Sequence, residues 1–169
     1  MASTLLPSSR SVDEQAAPYH SGRHSSIRAI QRGAAELRQR LMHSGKLSPE
    51  SAAHLRAGDV DLDRLQVRFR DFDGTVIGRF SIDPSIAHAL RLHLAAIRLN
   101  YERDRIQGMA GVWIPPSIRE TDPAAGESWS WFWLFPSRHV VPDPLSGRPW
   151  RPAGEVPSLQ PAVFPGVRH

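Results

Sequence analysis

The chain has 169 residues, 40% of them hydrophobic, and a formal net charge of +4, so it is long enough for one domain with a modest core. It has no cysteine, which excludes disulfides, thiolate metal sites and cysteine nucleophiles and indicates a cytoplasmic protein. No apolar run approaches the ~18 residues that span a bilayer, so we expect no membrane association. All 21 basic residues except Lys46 are arginines, a bias that fits phosphate recognition and fits GC-rich coding equally well.

Residues 1–25 show no sustained hydrophobic period and are predicted to be a disordered N-terminal segment. An amphipathic helix is predicted from Ser26 to His43, because apolar residues recur there at three- and four-residue steps: Ile27, Ile30, Ala34, Leu37 and Leu41. The sequence Ser48-Pro49-Glu50 is typical of a helix start and predicts a short helix that reaches about Leu55.

Two β-favouring runs, Gln66 to Asp71 and Thr75 to Ile82, flank an Asp73-Gly74 pair, which predicts a β-hairpin. Asp83-Pro84-Ser85 then begins the clearest helix of the chain, which is predicted to continue to about Gln107. Its apolar residues keep near one face: Ile86, Leu90, Leu94, Ile97 and Tyr101.

An aromatic segment follows, with Trp129, Trp131 and Trp133 at alternate positions, and residues 151–169 are predicted to form an irregular, proline-rich tail. Aromatic runs are more often buried in a core than exposed for binding, so burial is the favoured interpretation. The fold class is predicted to be α+β and mostly helical, with a β-hairpin and an aromatic-rich insert.

The segment Asp71-Phe72-Asp73-Gly74-Thr75 resembles the first motif of haloacid-dehalogenase-type phosphatases. In that case Asp71 acts as nucleophile, Asp73 as acid/base, and both help to hold Mg²⁺. Such an enzyme needs a downstream lysine and a later acidic pair, and the sequence has neither. A turn between two antiparallel strands explains the same residues without further requirements.

A more extensive resemblance runs without gaps from Leu41 to about Val163. Gly111-Val112-Trp113-Ile114-Pro115 is followed at matching distances by Trp129-Ser130-Trp131, Phe135-Pro136 and Asp143-Pro144-Leu145-Ser146-Gly147. The chain resembles the catalytic domain of the tyrosine site-specific recombinases, and among them the integron integrases, which carry G-V-Y-L-P, W-G-W, F-P and D-P-x-S-G there. This resemblance implies a partial integrase catalytic-like domain over residues 26–150.

The resemblance also implies that the chemistry of the family is missing. Tyrosine recombinases use a tyrosine nucleophile with arginine, lysine and histidine residues that stabilise the transition state. The family's first catalytic arginine falls on Ser48 and its hairpin lysine on Asp73, and the sequence ends before the H-x-x-R box and the tyrosine. We therefore expect a truncated, inactive relative that is not an enzyme and needs no metal or cofactor.

Three functions stay open at this point. The first is weak, salt-dependent and non-specific DNA binding, for which the candidate residues are Arg56, Arg68, Arg70 and Arg79. The second is a protein interaction through Trp129, Trp131 and Trp133, and the third is the Mg²⁺-dependent phosphatase. The sequence leaves the oligomeric state open.

Overall fold

The computed structural model describes residues 21–144 and 146–154, and side chains from Arg28 onward. The fold is α+β, as predicted. Its helices are α1 (Ser21–Gly45), α2 (Pro49–Ala53), α3 (Pro84–Ile106) and α4 (Pro116–Thr121), and its strands are β1 (Val60–Asp61), β2 (Gln66–Arg70), β3 (Val76–Ser81), β4 (Val141–Pro142) and β5 (Pro149–Trp150). Single 3-10 turns cover Ala57–Asp59, Ala125–Glu127 and Trp129–Trp131.

Helix α1 begins at Ser21, inside the segment predicted to be disordered, and residues 1–20 lie outside the described residues. Its predicted apolar face is buried only in the second half of the helix. Leu37 and Leu41 belong to the core, whereas the side chain of Ile30 is 67% exposed. The reason is that α2, β3 and α3 contact α1, and no described element covers the part around Ile30.

The predicted short helix is α2, and its start follows the sequence signal. The Ser48 hydroxyl accepts a hydrogen bond from the backbone N–H of Ser51 at 3.1 Å, and Pro49 occupies the first turn. Helix α3 also begins as predicted, because the Asp83 carboxylate accepts from the backbone N–H of Ile86 at 2.8 Å. Ile86, Leu90 and Ile97 on its inner face are buried in the core.

Strands β2 and β3 form the predicted antiparallel hairpin, and β1 adds a third strand beside β2. In the turn, Gly74 adopts a positive φ of 85°, and the Asp71 carboxylate accepts from the backbone N–H of Thr75 at 2.9 Å. Asp73 is exposed. The phosphatase alternative is wrong, because that motif requires Asp71 at the end of a buried parallel strand with Asp73 turned toward the same metal.

The aromatic segment packs into the core. Its backbone runs beside residues 55–57: the N–H of Ala57 donates to the carbonyl of Phe132, and the N–H of Leu134 donates to the carbonyl of Leu55, both at 2.8 Å. Phe132, Trp133, Leu134 and Phe135 are all buried.

The paired strands β4 and β5 follow the aromatic segment. Residues 155–169, most of the predicted tail, are outside the described residues. No helix within the described parts of the chain is long and apolar enough to cross a membrane.

Candidate nucleic-acid interface

Arg56, a predicted phosphate contact, is instead part of the core. Its side chain is buried, and its guanidinium carbon lies 3.3 Å from the centre of the Trp133 ring. It donates to the carbonyls of Trp131 at 2.9 Å and Trp113 at 3.1 Å. Burial lowers the pKa of Arg56 to about 9, partly offset by the carboxylate of Asp59. An arginine held in this way is not free to contact DNA.

Arg70, a second predicted contact, is also engaged inside the protein. Its guanidinium donates to the Asp59 carboxylate and to the Gly74 carbonyl, each at 2.8 Å. Asp59 is fully buried, and this burial raises its pKa although Arg70 acts in the opposite direction. The guanidinium of Arg70 also lies 5.1 Å from the Trp131 ring, so Asp59, Gly74 and Trp131 together hold the half-buried side chain against the protein.

Arg68 and Arg79 are the predicted contacts that the structure leaves at the surface. They are directly opposite each other on β2 and β3, and both are exposed. Val67 and Phe80, the neighbouring pair, point to the core face, so the alternation of strand side chains places both arginines on the outer face. Arg68 donates to the carbonyl of Gly58, but no described carboxylate forms an ion pair with Arg68 or Arg79.

Two arginines opposite each other place like charges close together, and Asp59 attracts Arg68 without forming an ion pair with it. Side chains that face each other across antiparallel strands have Cβ atoms ~4.5–5.5 Å apart, and like charges there destabilise the sheet. A phosphate oxygen between the two guanidinium groups would remove the repulsion and would use the planar donor geometry of arginine. The outer face of the hairpin is therefore a candidate anion site.

The predicted interaction residues are packed internally. Trp133 is buried, and its indole N–H donates to the carbonyl of Arg151 at 3.1 Å. Trp129 stacks on Phe132 and meets the edge of Tyr101, while Trp131 lies against Arg70 and the hairpin turn. Trp129 and Trp131 are only half exposed, which favours the burial interpretation over a binding surface.

The positions at which the resemblance places catalytic residues have structural roles or face solvent. Ser48 caps α2, and Asp73 is exposed at the hairpin turn with its carbonyl accepting from the hydroxyl of Ser117 at 3.2 Å. Tyr101 donates its hydroxyl to the carbonyl of Glu127 at 2.9 Å and packs against Trp129 and Phe132. No group of three or more metal-binding side chains occurs within the described residues.

The comparison with known proteins agrees with the resemblance at a coarse level. No protein-family model matches the chain. Two curated proteins named "Integrase/recombinase", from Escherichia coli and Pseudomonas aeruginosa, are each 30% identical to it over 107 residues. The chain is similar to integrase/recombinases. These 107 residues are 63% of the chain and 32% of each relative, so the chain spans about a third of the length of the curated relatives it matches.

Proposed function

We propose that the chain is a non-catalytic relative of the integron integrases that binds duplex DNA weakly through its phosphate backbone. The observation that carries this proposal is the exposed pair Arg68 and Arg79, opposite each other on the hairpin, with which no carboxylate of residues 28–144 and 146–154 forms an ion pair. The similarity to integrase/recombinases supports DNA as the source of the phosphate.

The same geometry limits the strength and selectivity of binding. Phosphate contacts position a protein on DNA but carry no sequence information, which is read from base edges. With Arg56 buried and Arg70 bound to Asp59 and Gly74, Arg68 and Arg79 are the exposed residues among the four predicted contacts. We therefore expect binding that is weak, sequence-independent and strongly reduced by salt.

The non-catalytic part of the proposal rests on positions inside the described chain. A serine that caps a helix cannot supply the charge of a catalytic arginine at Ser48. A carboxylate at Asp73 adds negative charge beside a phosphodiester, where the family has a lysine. Both substitutions weaken the stabilisation of a transition state in which negative charge accumulates.

The test measures binding of a short duplex by fluorescence anisotropy over a range of salt concentrations. Each phosphate contact contributes a slope of about −0.9 in log K against log salt, so the R68A/R79A double variant should lose about two units of slope. The matched control is Arg91→Ala, which removes an exposed arginine from α3. Equal losses in both variants, or binding that does not respond to salt, would contradict the proposed surface.

A further inference from the structure

Helix α3 exposes three large apolar side chains in one line on its outer face. Leu92, Leu99 and Ile106 are 61%, 63% and 87% exposed. Their spacing of seven residues keeps them close to one side of the helix over ~21 Å, at 1.5 Å rise per residue. This side lies opposite the buried residues Leu90 and Ile97. We call Leu92, Leu99 and Ile106 the α3 stripe.

The α3 stripe differs from ordinary exposed hydrophobic residues. Single leucines at a surface are common and need no explanation, whereas three in register along one helix resemble half of a helix–helix contact. Ala95 and Ala96, between Leu92 and Leu99, are also exposed, and their small side chains allow the backbone of a second helix to approach closely.

The charges beside the stripe indicate what kind of helix fits. Arg91, Arg98 and Arg103 are exposed there, and Glu102 is the acidic residue of this part of α3. Glu102 is already paired with Arg98, at 2.9 Å. Among the described residues no carboxylate pairs with Arg91 or Arg103, so the surface keeps about two unneutralised positive charges.

We propose that the α3 stripe binds an amphipathic helix of another polypeptide that carries glutamate or aspartate beside its own apolar residues. Apolar burial provides the affinity, and the carboxylates neutralise Arg91 and Arg103. A second copy of this chain fits less well, because it brings the same excess of positive charge to the contact. The proposed surface lies on α3 and shares no residue with the Arg68 and Arg79 pair, so each proposal is tested separately.

The experiment titrates the full chain into a fluorescein-labelled synthetic helix with leucines at three- and four-residue spacing and glutamates beside them. A matched peptide has lysine in place of every glutamate. We expect the glutamate peptide to bind and the lysine peptide not to bind. Leu99→Ser should weaken binding by about ten-fold or more, since it removes a leucine from the contact, and Arg103→Glu should remove the preference for the glutamate peptide, since Arg91 then faces a glutamate of opposite charge on the same surface.

The control is Ile77→Ser, which replaces a similarly exposed apolar residue on β3. It should leave binding of the glutamate peptide unchanged, and circular dichroism should show that all variants keep the wild-type helix content. The proposal is overturned if neither peptide binds, if the lysine peptide binds equally well, or if Ile77→Ser and Leu99→Ser have the same effect. Sedimentation that shows self-association abolished by Leu99→Ser would identify a second copy as the occupant and would also overturn it.

Discussion

Arg151 forms a two-point ion pair with Asp104, with Nε and one terminal nitrogen of the guanidinium 2.7 and 2.8 Å from the two carboxylate oxygens. The same guanidinium donates to the carbonyl of Ser137 at 2.8 Å. One side chain therefore connects the end of α3, the segment after the aromatic residues and the chain beyond β5. The Asp104 side chain is almost fully buried, and Arg151 is the cation that pairs with it.

Replacing Arg151 by alanine should destabilise the fold by about 3–5 kcal/mol, because it leaves a buried carboxylate without its partner. The measurement is the free energy of unfolding from urea denaturation. The matched control is Arg64→Ala, which breaks the ion pair of Arg64 with Asp61 at the surface. Exposed pairs contribute less than about 1 kcal/mol. Similar losses in the two variants would show that the Arg151 pair does not hold these segments together.

Arg56→Lys should reduce stability by about 2–4 kcal/mol, since a lysine cannot make both carbonyl hydrogen bonds while stacking on Trp133. The variant should keep the salt dependence of DNA binding, because Arg56 is buried and does not reach phosphate. Urea denaturation and the anisotropy titration measure the two properties separately. If Arg56→Lys is as stable as the wild type and its DNA binding depends less on salt, Arg56 contacts phosphate and the prediction is wrong.

The elements of the fold that the sequence predicted depend on local signals. The Ser48 and Asp83 caps and the Asp73-Gly74 turn each determine the backbone conformation of the residues next to them, so the positions of α2, the hairpin and α3 could be predicted within a few residues.

Whether each arginine side chain is buried or exposed could not be predicted in this way. Arg56 and Arg68 look alike in sequence, and only the return of the aromatic segment beside residues 55–57 buries the first of them.

The same limit applies to the Asp104 and Arg151 pair, which joins positions far apart in the chain. An Asp among arginines at the end of a helix is usually a solvated residue, so the sequence contained no signal for burial. The apolar period of α3 leaves Leu92, Leu99 and Ile106 off its predicted inner face, but it does not show whether another element covers them.

Stability should fall as the pH drops below ~6.5, the ordinary pKa of histidine. Burial lowers the pKa of His93, whose ring packs against Phe135 with Nε2 2.7 Å from the Leu134 carbonyl oxygen. Burial and the charge of Arg56 lower the pKa of His54. The unfolded chain then binds more protons than the folded chain near pH 6, and linkage requires stability to increase with pH in that range.

The measurement is urea denaturation at pH 7.5 and pH 5.5, for the wild type and for His93→Gln. Glutamine keeps a donor for the Leu134 carbonyl and does not titrate, so the variant should lose less stability between the two pH values. His88→Gln is the control, because His88 is exposed on α3. A pH dependence that His93→Gln leaves unchanged would assign the effect to other groups.

The chain should not cleave DNA. A suicide substrate that contains an integron recombination site should form no covalent adduct with the chain, as judged by denaturing gel electrophoresis. Tyr101, the tyrosine within the described residues, has its hydroxyl bound to the carbonyl of Glu127 and its ring packed against Trp129, so it is not placed to attack a phosphodiester. If an adduct forms with the wild type and not with Tyr101→Phe, Tyr101 leaves its contacts with Trp129 and Glu127 when DNA binds, and the prediction is wrong.

Restoring the two family residues should not produce activity. The S48R/D73K variant gains positive charge, so its binding to duplex DNA should strengthen, but the packing of Tyr101 should still keep its hydroxyl from attacking a phosphodiester. Ser48→Arg also removes the cap of α2, at a cost of about 1 kcal/mol, and Ser48→Ala is the control for that effect. Stronger binding without an adduct is the expected outcome. A covalent adduct in S48R/D73K would show that a tyrosine of the chain attacks DNA once these charges are restored, which would contradict the prediction drawn from the packing of Tyr101.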